Sequence, residues 1–356
     1  MSNSTPLSNG SSTPPLSAGR VHSSTGERDI APPVQHGSPA AQPRNEGHAL
    51  ELDWIDDIRI NLSAAERRIA ALPGRRTVKK DAQAAWLLKA VACIDLTTLN
   101  GDDTAERVKR LCAKARMPVR ADILEALGFA DRVVHTAAVC VYHRFVATAV
   151  EALKGTGIPV AAVSTGFPAG LVPHDLKLKE IEASVKEGAA EIDIVITREH
   201  VLTGNWGALY REVQDFRAAC GAAHIKTILA TGDLKTLRNV AKASMVCMMA
   251  GADFIKTSTG KEAVNATLLV TLAMARMIRA YRERTGVRIG YKPAGGISTA
   301  KDVLAYQFLM KEELGREWLE PELFRVGASS LLADIERQLE HHLTGRYSAF
   351  NRHPVG

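Results

Sequence analysis

Eight short β-rich runs, each followed by a helix-compatible stretch, constrain the fold more than any other feature of this chain. The runs are VACIDLT (91–97), TAAVCVY (136–142), VAAVSTGF (160–167) and EIDIVI (191–196), then HIKTILAT (224–231), DFIKTST (253–259), RIGYKPA (288–294) and LFRVGAS (323–329). Most begin about 25 to 40 residues apart, with stretches such as WGALYREVQDFRAAC between them. Strands that alternate with helices pair in parallel, because each helix carries the chain back to the same end of the sheet. Eight such units over roughly 290 residues predict a closed (β/α)8 TIM barrel. The helical stretch DAQAAWLLKAV before the first run adds an N-terminal helical extension. A doubly wound open sheet competes with this reading, but its G-x-G-x-x-G fingerprint after the first strand is absent.

The first 48 residues have a different character. MSNSTPLSNGSSTPPLSAG is typical of them, and a Ser/Pro/Gly-rich segment buries too little apolar surface to offset its ordering entropy. Residues 1–48 therefore read as a disordered tail, 49–347 as the barrel domain and 348–356 as a C-terminal tail. Arg20, Arg28 and Arg44 would suit an organellar transit segment, but Glu27, Asp29 and Glu46 count against one, and no apolar signal core is present. The 45 basic and 39 acidic residues are interspersed, without the basic blocks of a nucleic-acid surface. No apolar run is long enough to span a bilayer. Five widely separated cysteines without a C-x-x-C pair argue for reduced thiols and a cytoplasmic protein, and no histidine pattern suggests a metal site.

GADFIKTSTGK (251–261) places Lys256 inside a run that otherwise reads as a buried strand, and IGYKPAGG (289–296) does the same with Lys292. An ammonium group is costly to desolvate, so both positions ask for a chemical reason. On a barrel, Asp95, Asp193, Lys226, Lys256 and Lys292 all fall on strands whose C-terminal ends face the active site. Side chains alternate along a strand, so Lys256 and Lys292 point inward from neighbouring strands. Two adjacent ammonium groups lower each other's pKa, and desolvation lowers both further. A neutral amine at physiological pH attacks a carbonyl to form a Schiff base. The competing reading is that these lysines bind phosphate or close ion pairs with Asp95 and Asp193; two lysines together favour the nucleophile, with Lys226 as the main competitor for that role.

PAGGIS (293–298) and RVGASS (325–330) follow the seventh and eighth strands, where this architecture usually cradles phosphate. Gly295, Gly296 and Gly327 let backbone N–H groups approach an anion, and Ser329 and Ser330 add hydroxyl donors.

The segments IDLTTLN, EIDIVI, GADFIKTSTGK, KPAGGI and FRVGASSLL, in this order, resemble the deoxyribose-phosphate aldolase family of metal-free, class I aldolases from about residue 50 to about 347. RRTVKK, AAWLLKAV and HHLTGRYSA resemble its longer branch. The resemblance implies Lys256 as the Schiff-base lysine, Lys292 as the second lysine that perturbs it, and Asp193 as the carboxylate of the proton relay. It implies that Asp95, Thr97 and Asn100 line the site, and that Gly260, Lys261, Gly295, Gly296, Gly327, Ser329 and Ser330 bind phosphate. Cys140 falls near the pocket and reads as packing.

The implied reaction is reversible cleavage of 2-deoxy-D-ribose 5-phosphate to D-glyceraldehyde 3-phosphate and acetaldehyde, in deoxyribonucleoside catabolism, without cofactor or metal. The implied partner is a small phosphorylated sugar, and the implied assembly a homo-oligomer, dimer or larger. Another lysine-dependent barrel aldolase with a different donor, or a non-catalytic sugar-phosphate-binding protein, remains an alternative. Two departures stand out. Ser298 occupies a position where the family usually carries arginine after GGI or GGV, which leaves Lys261 as the replacement cation. The chain also runs past Tyr347, whereas short members of the family end in a tyrosine at the site.

Overall fold

The computed structural model describes Met1 and residues 43–349 and 351–353. The strands are β1 (Ile94–Thr97), β2 (Ala138–Tyr142), β3 (Val160–Ser164), β4 (Glu191–Val195), β5 (His224–Ile228), β6 (Phe254–Lys256), β7 (Gly290–Lys292) and β8 (Val326–Ala328). All neighbouring pairs are parallel, in the order β7-β6-β5-β4-β3-β2-β1-β8. Bridges from Tyr291 to Phe324 and from Ala294 to Gly327 join the outer strands β7 and β8 and close the barrel.

Among the described residues, four helices precede the barrel: α1 (Leu52–Asp56), α2 (Leu62–Ala70), α3 (Leu72–Arg75) and α4 (Lys80–Ala92). They form the expected helical extension, with α4 against the last two barrel helices and α2 against a third. The crossovers hold α5 (Ala105–Arg116), α6 (Ala121–Ala126), α7 (Val146–Ala152), α8 (His174–Lys186) and α9 (Arg198–Leu202). Then come α10 (Trp206–Ala219), α11 (Leu237–Met249), α12 (Leu268–Thr285), α13 (Ala300–Leu314) and α14 (Leu331–Thr344). The main core lies between sheet and helices. There the outward residues of the strands, such as Ile192, Ile225, Ile255 and Tyr291, meet the apolar faces of the ring.

The strands are shorter than the sequence runs. Val91 and Ala92 end α4 rather than begin β1, and β6 stops at Lys256, which leaves Thr257–Thr259 in the loop above it. That loop still donates to the neighbouring strand β7, with Thr257 N–H to Lys292 C=O at 3.1 Å. Lys256 and Lys292 are thus the last regular residues of their strands, at the barrel's C-terminal mouth.

Described residues on either side of 49–347 make contacts with the barrel domain. The reading of residues 1–48 as a disordered tail lies outside the described residues for 2–42, while Arg44 and Asn45 are held by specific bonds. The buried Asn45 donates its side-chain amide to Met248 C=O at 2.7 Å and Ala252 C=O at 2.9 Å, and its backbone N–H to Asp253 at 2.7 Å. Arg44 pairs with the same carboxylate at 3.0 Å. Polar capping of the α11–β6 turn, which hydropathy does not register, fixes this segment. At the other end, the tail set at 348 folds back onto α14 over its described residues: Arg352 pairs with Glu340 at 2.6 Å, and the buried His353 faces Glu340 at 3.0 Å and Glu336 at 3.7 Å.

Candidate active site

Period-two alternation puts a set of charged side chains inside the barrel. Asp95 comes from β1, Glu191 and Asp193 from β4, Lys226 from β5, Lys256 from β6 and Lys292 from β7. Arg325, just ahead of β8, joins them. All seven are buried. Strand register aligns Asp193 with Lys226 and Lys256 with Lys292. The ammonium groups of Lys256 and Lys292 both donate to Oδ2 of Asp193, at 2.7 and 2.8 Å, and Lys226 donates to its other oxygen at 2.8 Å. Lys292 also pairs with Asp95 at 2.5 Å. Towards the other end of the barrel, Arg325 bridges Asp95 at 2.7 Å and Glu191 at 2.8 Å, while Lys226 pairs with Glu191 at 2.5 Å.

These contacts divide the lysines. Burial pushes the Lys256 amine below the usual lysine range; Asp193 opposes that shift and the charge of Lys292 adds to it. Burial acts on Lys292 too, but Asp193 and Asp95 overcome it and hold the ammonium above the usual range. Lys226 is held up in the same way by Asp193 and Glu191. Asp193 is buried, which favours its neutral form, yet three ammonium groups keep it well below the ordinary carboxylate range. The expectation that each lysine lowers the other's pKa therefore holds for Lys256 alone. Lys292 departs from it because it sits against two carboxylates where Lys256 has one.

A cavity of about 790 Å³ opens at the C-terminal mouth. Of the three expected catalytic residues, Lys256 lies on its wall, while Asp193 and Lys292 lie beneath. Thr97 and Asn100 line one side, with Gly260 and Lys261 after β6. Gly295, Gly296, Gly327, Ser329 and Ser330 line another part, so the two loops predicted to cradle an anion do converge. Asp95 does not line the cavity as expected, since Lys292 and Arg325 bind both of its oxygens and enclose it.

Two of the glycines are required where they stand. A Cβ on Gly327 would lie 2.9 Å from Ala294 Cβ and 3.4 Å from Lys292 Cε, so its absence makes room for the Lys292 stem. Gly295 has a left-handed φ of 80°, and a Cβ there would approach Asn265 Cγ to 2.6 Å.

The helix termini beside the cavity are unequal. At α13, a capping box between Thr299 and Asp302 uses the first amides, and Asp334 accepts from Ala300 N–H at 2.7 Å. At α14, Ser330 is the N-cap residue and its side chain makes no capping bond. The free amides and positive dipole end at this mouth are therefore those of α14, beside Ser329 and Ser330.

Sequence reasoning did not select Glu191 or Arg325 for the charge cluster. Both follow from the two-residue period, since Glu191 precedes Asp193 by two and Arg325 precedes Gly327 by two on inward faces. Three further basic residues on the cavity wall, Arg107, Lys114 and Arg337, come from helices α5 and α14, where no strand motif points to them. Tyr347 is 62% exposed, stacks on His341 at 4.1 Å between ring centroids, and does not line the cavity. The buried Cys140 belongs to a small apolar cluster with Leu99, Ala161 and Val163.

Residues 89–335 match the model of the DeoC/LacD family aldolases. Deoxyribose-phosphate aldolase of Homo sapiens is 59% identical over 313 residues, which cover 87% of this chain and 98% of that protein. Deoxyribose-phosphate aldolase of Mus musculus is 60% identical over 311 residues, with the same coverage of both. Among solved structures, the tetrameric deoxyribose phosphate aldolase of Aeropyrum pernix shares the fold at a TM-score of 0.55 and 21% identity, covering 79% of this chain and 99% of that one. The family match encloses every strand of the barrel and the six lysines and carboxylates at its mouth and centre, and together with the relatives' identity it shows that the chain belongs to the DeoC/LacD family of aldolases.

Proposed function

We propose that this protein catalyses reversible aldol cleavage of 2-deoxy-D-ribose 5-phosphate to D-glyceraldehyde 3-phosphate and acetaldehyde. The observation that carries the assignment of the nucleophile is the contrast among three buried lysines. Lys256 alone reaches the cavity, alone has a depressed pKa, and has one carboxylate partner where the others have at least two.

In this reading the neutral Lys256 amine adds to the aldehyde carbon of the open-chain sugar, and water leaves to give an iminium ion. The hydroxyl on carbon three loses its proton, the bond between carbons two and three breaks, and its electron pair moves into the iminium. D-glyceraldehyde 3-phosphate departs and leaves an enamine of acetaldehyde on Lys256. Protonation of the enamine carbon and addition of water release acetaldehyde and restore the amine. Asp193, 2.7 Å from Lys256 Nζ, is placed to relay these protons through solvent at the cavity floor. Lys292 supplies the positive charge that helps keep Lys256 neutral, and Asp95 holds Lys292 in position. Thr97 and Asn100 face the sugar, and Gly260, Lys261, Gly295, Gly296, Gly327, Ser329 and Ser330 receive the phosphate. The lysine supplies the electron sink, so the cycle needs no cofactor, and among the described residues no cluster of His, Cys, Asp and Glu is arranged to hold a metal.

A cytoplasmic homo-oligomer belongs to the same reading. All five cysteines are free and buried, and the related Aeropyrum pernix enzyme is described as tetrameric. Borohydride with acetaldehyde tests the proposal: a two-carbon adduct should map to Lys256 and vanish in Lys256→Ala. An adduct on Lys226 or Lys292, or activity with other donors in preference to acetaldehyde, would overturn it.

A further inference from the structure

Apart from Lys261 at its rim, the anion cradle is built from neutral donors, and a phosphate dianion held there calls for positive charge. Five cationic side chains line the cavity: Arg107, Lys114, Lys256, Lys261 and Arg337. Three are already compensated. Arg107 pairs with Asp102 at 3.1 Å and Asp103 at 3.2 Å, Lys114 with Glu336 at 2.6 Å, and Lys256 with Asp193 at 2.7 Å. Lys261 and Arg337 have no carboxylate partner among the described residues, and the Lys261 side chain is exposed at the rim.

Arg337 differs from Lys261 in being partly enclosed. Its Nε is shielded from solvent and makes no hydrogen bond. A buried donor left without an acceptor is costly, and a ligand oxygen would relieve that cost. Its position on α14 suits such a ligand. Ser330, Ala333, Asp334 and Arg337 all line the cavity at helical spacing, so one face of α14 fronts it from the N-terminus onward. Seven residues separate Ser330 from Arg337, about 10 Å along the axis. Helical side chains lean toward the N-terminus, which directs the long guanidinium side chain back toward the Ser330 amides. Asp334, between them, is engaged by the N-terminus of α13 at 2.7 Å and forms no ion pair with Arg337. Arg337 also lies beyond residue 335, where the family match ends.

We propose that Arg337 is a specificity residue that binds the phosphate of the substrate, completing the neutral cradle of Gly295, Gly296, Ser329 and Ser330 with a fixed positive charge. This assignment rests on the aldolase reading of the same cavity. A guanidinium offers two parallel donors to a phosphate, which an ammonium cannot match.

The test compares wild type, Arg337→Gln and Arg337→Lys on 2-deoxyribose 5-phosphate and on free 2-deoxyribose, with thermal unfolding of each variant and calorimetric titration with inorganic phosphate. The preference in kcat/KM for the phosphorylated sugar should fall about ten- to hundredfold in Arg337→Gln, mainly through KM, and recover in part in Arg337→Lys. Phosphate should bind Arg337→Gln more weakly than wild type. An unchanged preference, whether activity is retained or falls equally on both substrates, overturns the assignment. If wild type cleaves neither sugar, the aldolase reading fails by itself, and the phosphate titration then decides Arg337: equal affinity in wild type and Arg337→Gln overturns it.

Discussion

Lys256 and Lys292 donate to the same atom, Oδ2 of Asp193, at 2.7 and 2.8 Å, yet their pKa values are shifted in opposite directions. The difference is Asp95, which gives Lys292 a second carboxylate at 2.5 Å. One ammonium is thereby fixed beside an amine that is easier to deprotonate. The arrangement makes a base of Lys256 without making an acid of its neighbour.

Lys292→Leu should raise the pKa of Lys256, because it removes a positive charge and frees Asp193 to favour the remaining ammonium. Imine formation requires the neutral amine, so activity falls as pH drops through the Lys256 pKa. In the variant that acid limb should move to higher pH, with about a tenfold loss of rate at neutral pH for each unit of displacement. A pH profile of kcat/KM that coincides with that of wild type would remove Lys292 from this role.

Asp193→Asn keeps the shape of the relay and removes its charge. Proton transfer by a positioned side chain typically contributes about 10²- to 10⁴-fold, and kcat should fall within that range. Aldehyde trapping on Lys256 should be slowed but not lost, since the nucleophile remains. Full turnover in this variant would show that another group moves the proton.

Arg325→Met tests the part of the cluster farthest from the cavity. It strips a hydrogen-bonded partner from Asp95 and Glu191, both enclosed, and breaking a buried ion pair typically costs about 3–5 kcal/mol. Both carboxylates are held below their ordinary range in the folded protein. Burial opposes that shift and their cationic partners produce it. Groups depressed in this way stabilise fully above the unfolded carboxylate pKa of about 4, and lose that contribution as pH falls through the folded values below it. The stability gap between wild type and Arg325→Met, read by denaturant unfolding, should thus be full at pH 7 and narrow only below about pH 4. A constant gap across that range would mean that packing, not charge, holds Arg325.

The barrel was legible because each strand and helix announces itself by its own period. Inward strand residues such as Asp193, Lys256 and Lys292 were legible for the same reason, since a charge in an apolar run is conspicuous locally. What the sequence hid is pairing. Nothing in EIDIVI or RVGASS states that Glu191 and Arg325, 134 residues apart, would meet at 2.8 Å and leave Asp95 enclosed. The opposite shift of Lys292 depends on its pairing with both Asp95 and Asp193, which a strand register closed only in three dimensions brings together. Arg337 was hidden differently: on α14 it looks like any solvated helix residue until the cavity is seen against that face. Asn45 escaped because its contribution is made through backbone carbonyls of α11 and the turn after it.

The N-terminal boundary offers a direct comparison. A protein that starts at residue 43 retains Asn45 and Arg44, and its turnover and melting temperature should match those of the full chain. One that starts at residue 49 loses the Asn45 bonds to Met248 and Ala252 and leaves the buried Asp253 without Arg44. It should unfold several degrees lower while keeping its KM, because none of these residues lines the cavity. Equal melting temperatures for the two truncations would show that the segment is dispensable.

Phosphate recognition at the rim can be separated from the proposed role of Arg337 through Ser298 and Lys261. Both line the cavity and both side chains are exposed, so Lys261, or an arginine introduced at position 298, acts through a mobile, screened charge. Lys261→Ala should raise KM for 2-deoxyribose 5-phosphate about two- to fivefold, the scale of an exposed ion pair, with a smaller effect on free 2-deoxyribose. Ser298→Arg should act in the opposite sense by adding a charge-assisted donor beside Gly295 and Gly296. Raising the salt concentration should shrink both effects, as it does for any exposed charge, while a contact from the partly enclosed Arg337 should persist. If each substitution changes the two substrates equally, the phosphate is not bound by these loops, and the cradle at the N-terminus of α14 must serve another part of the substrate.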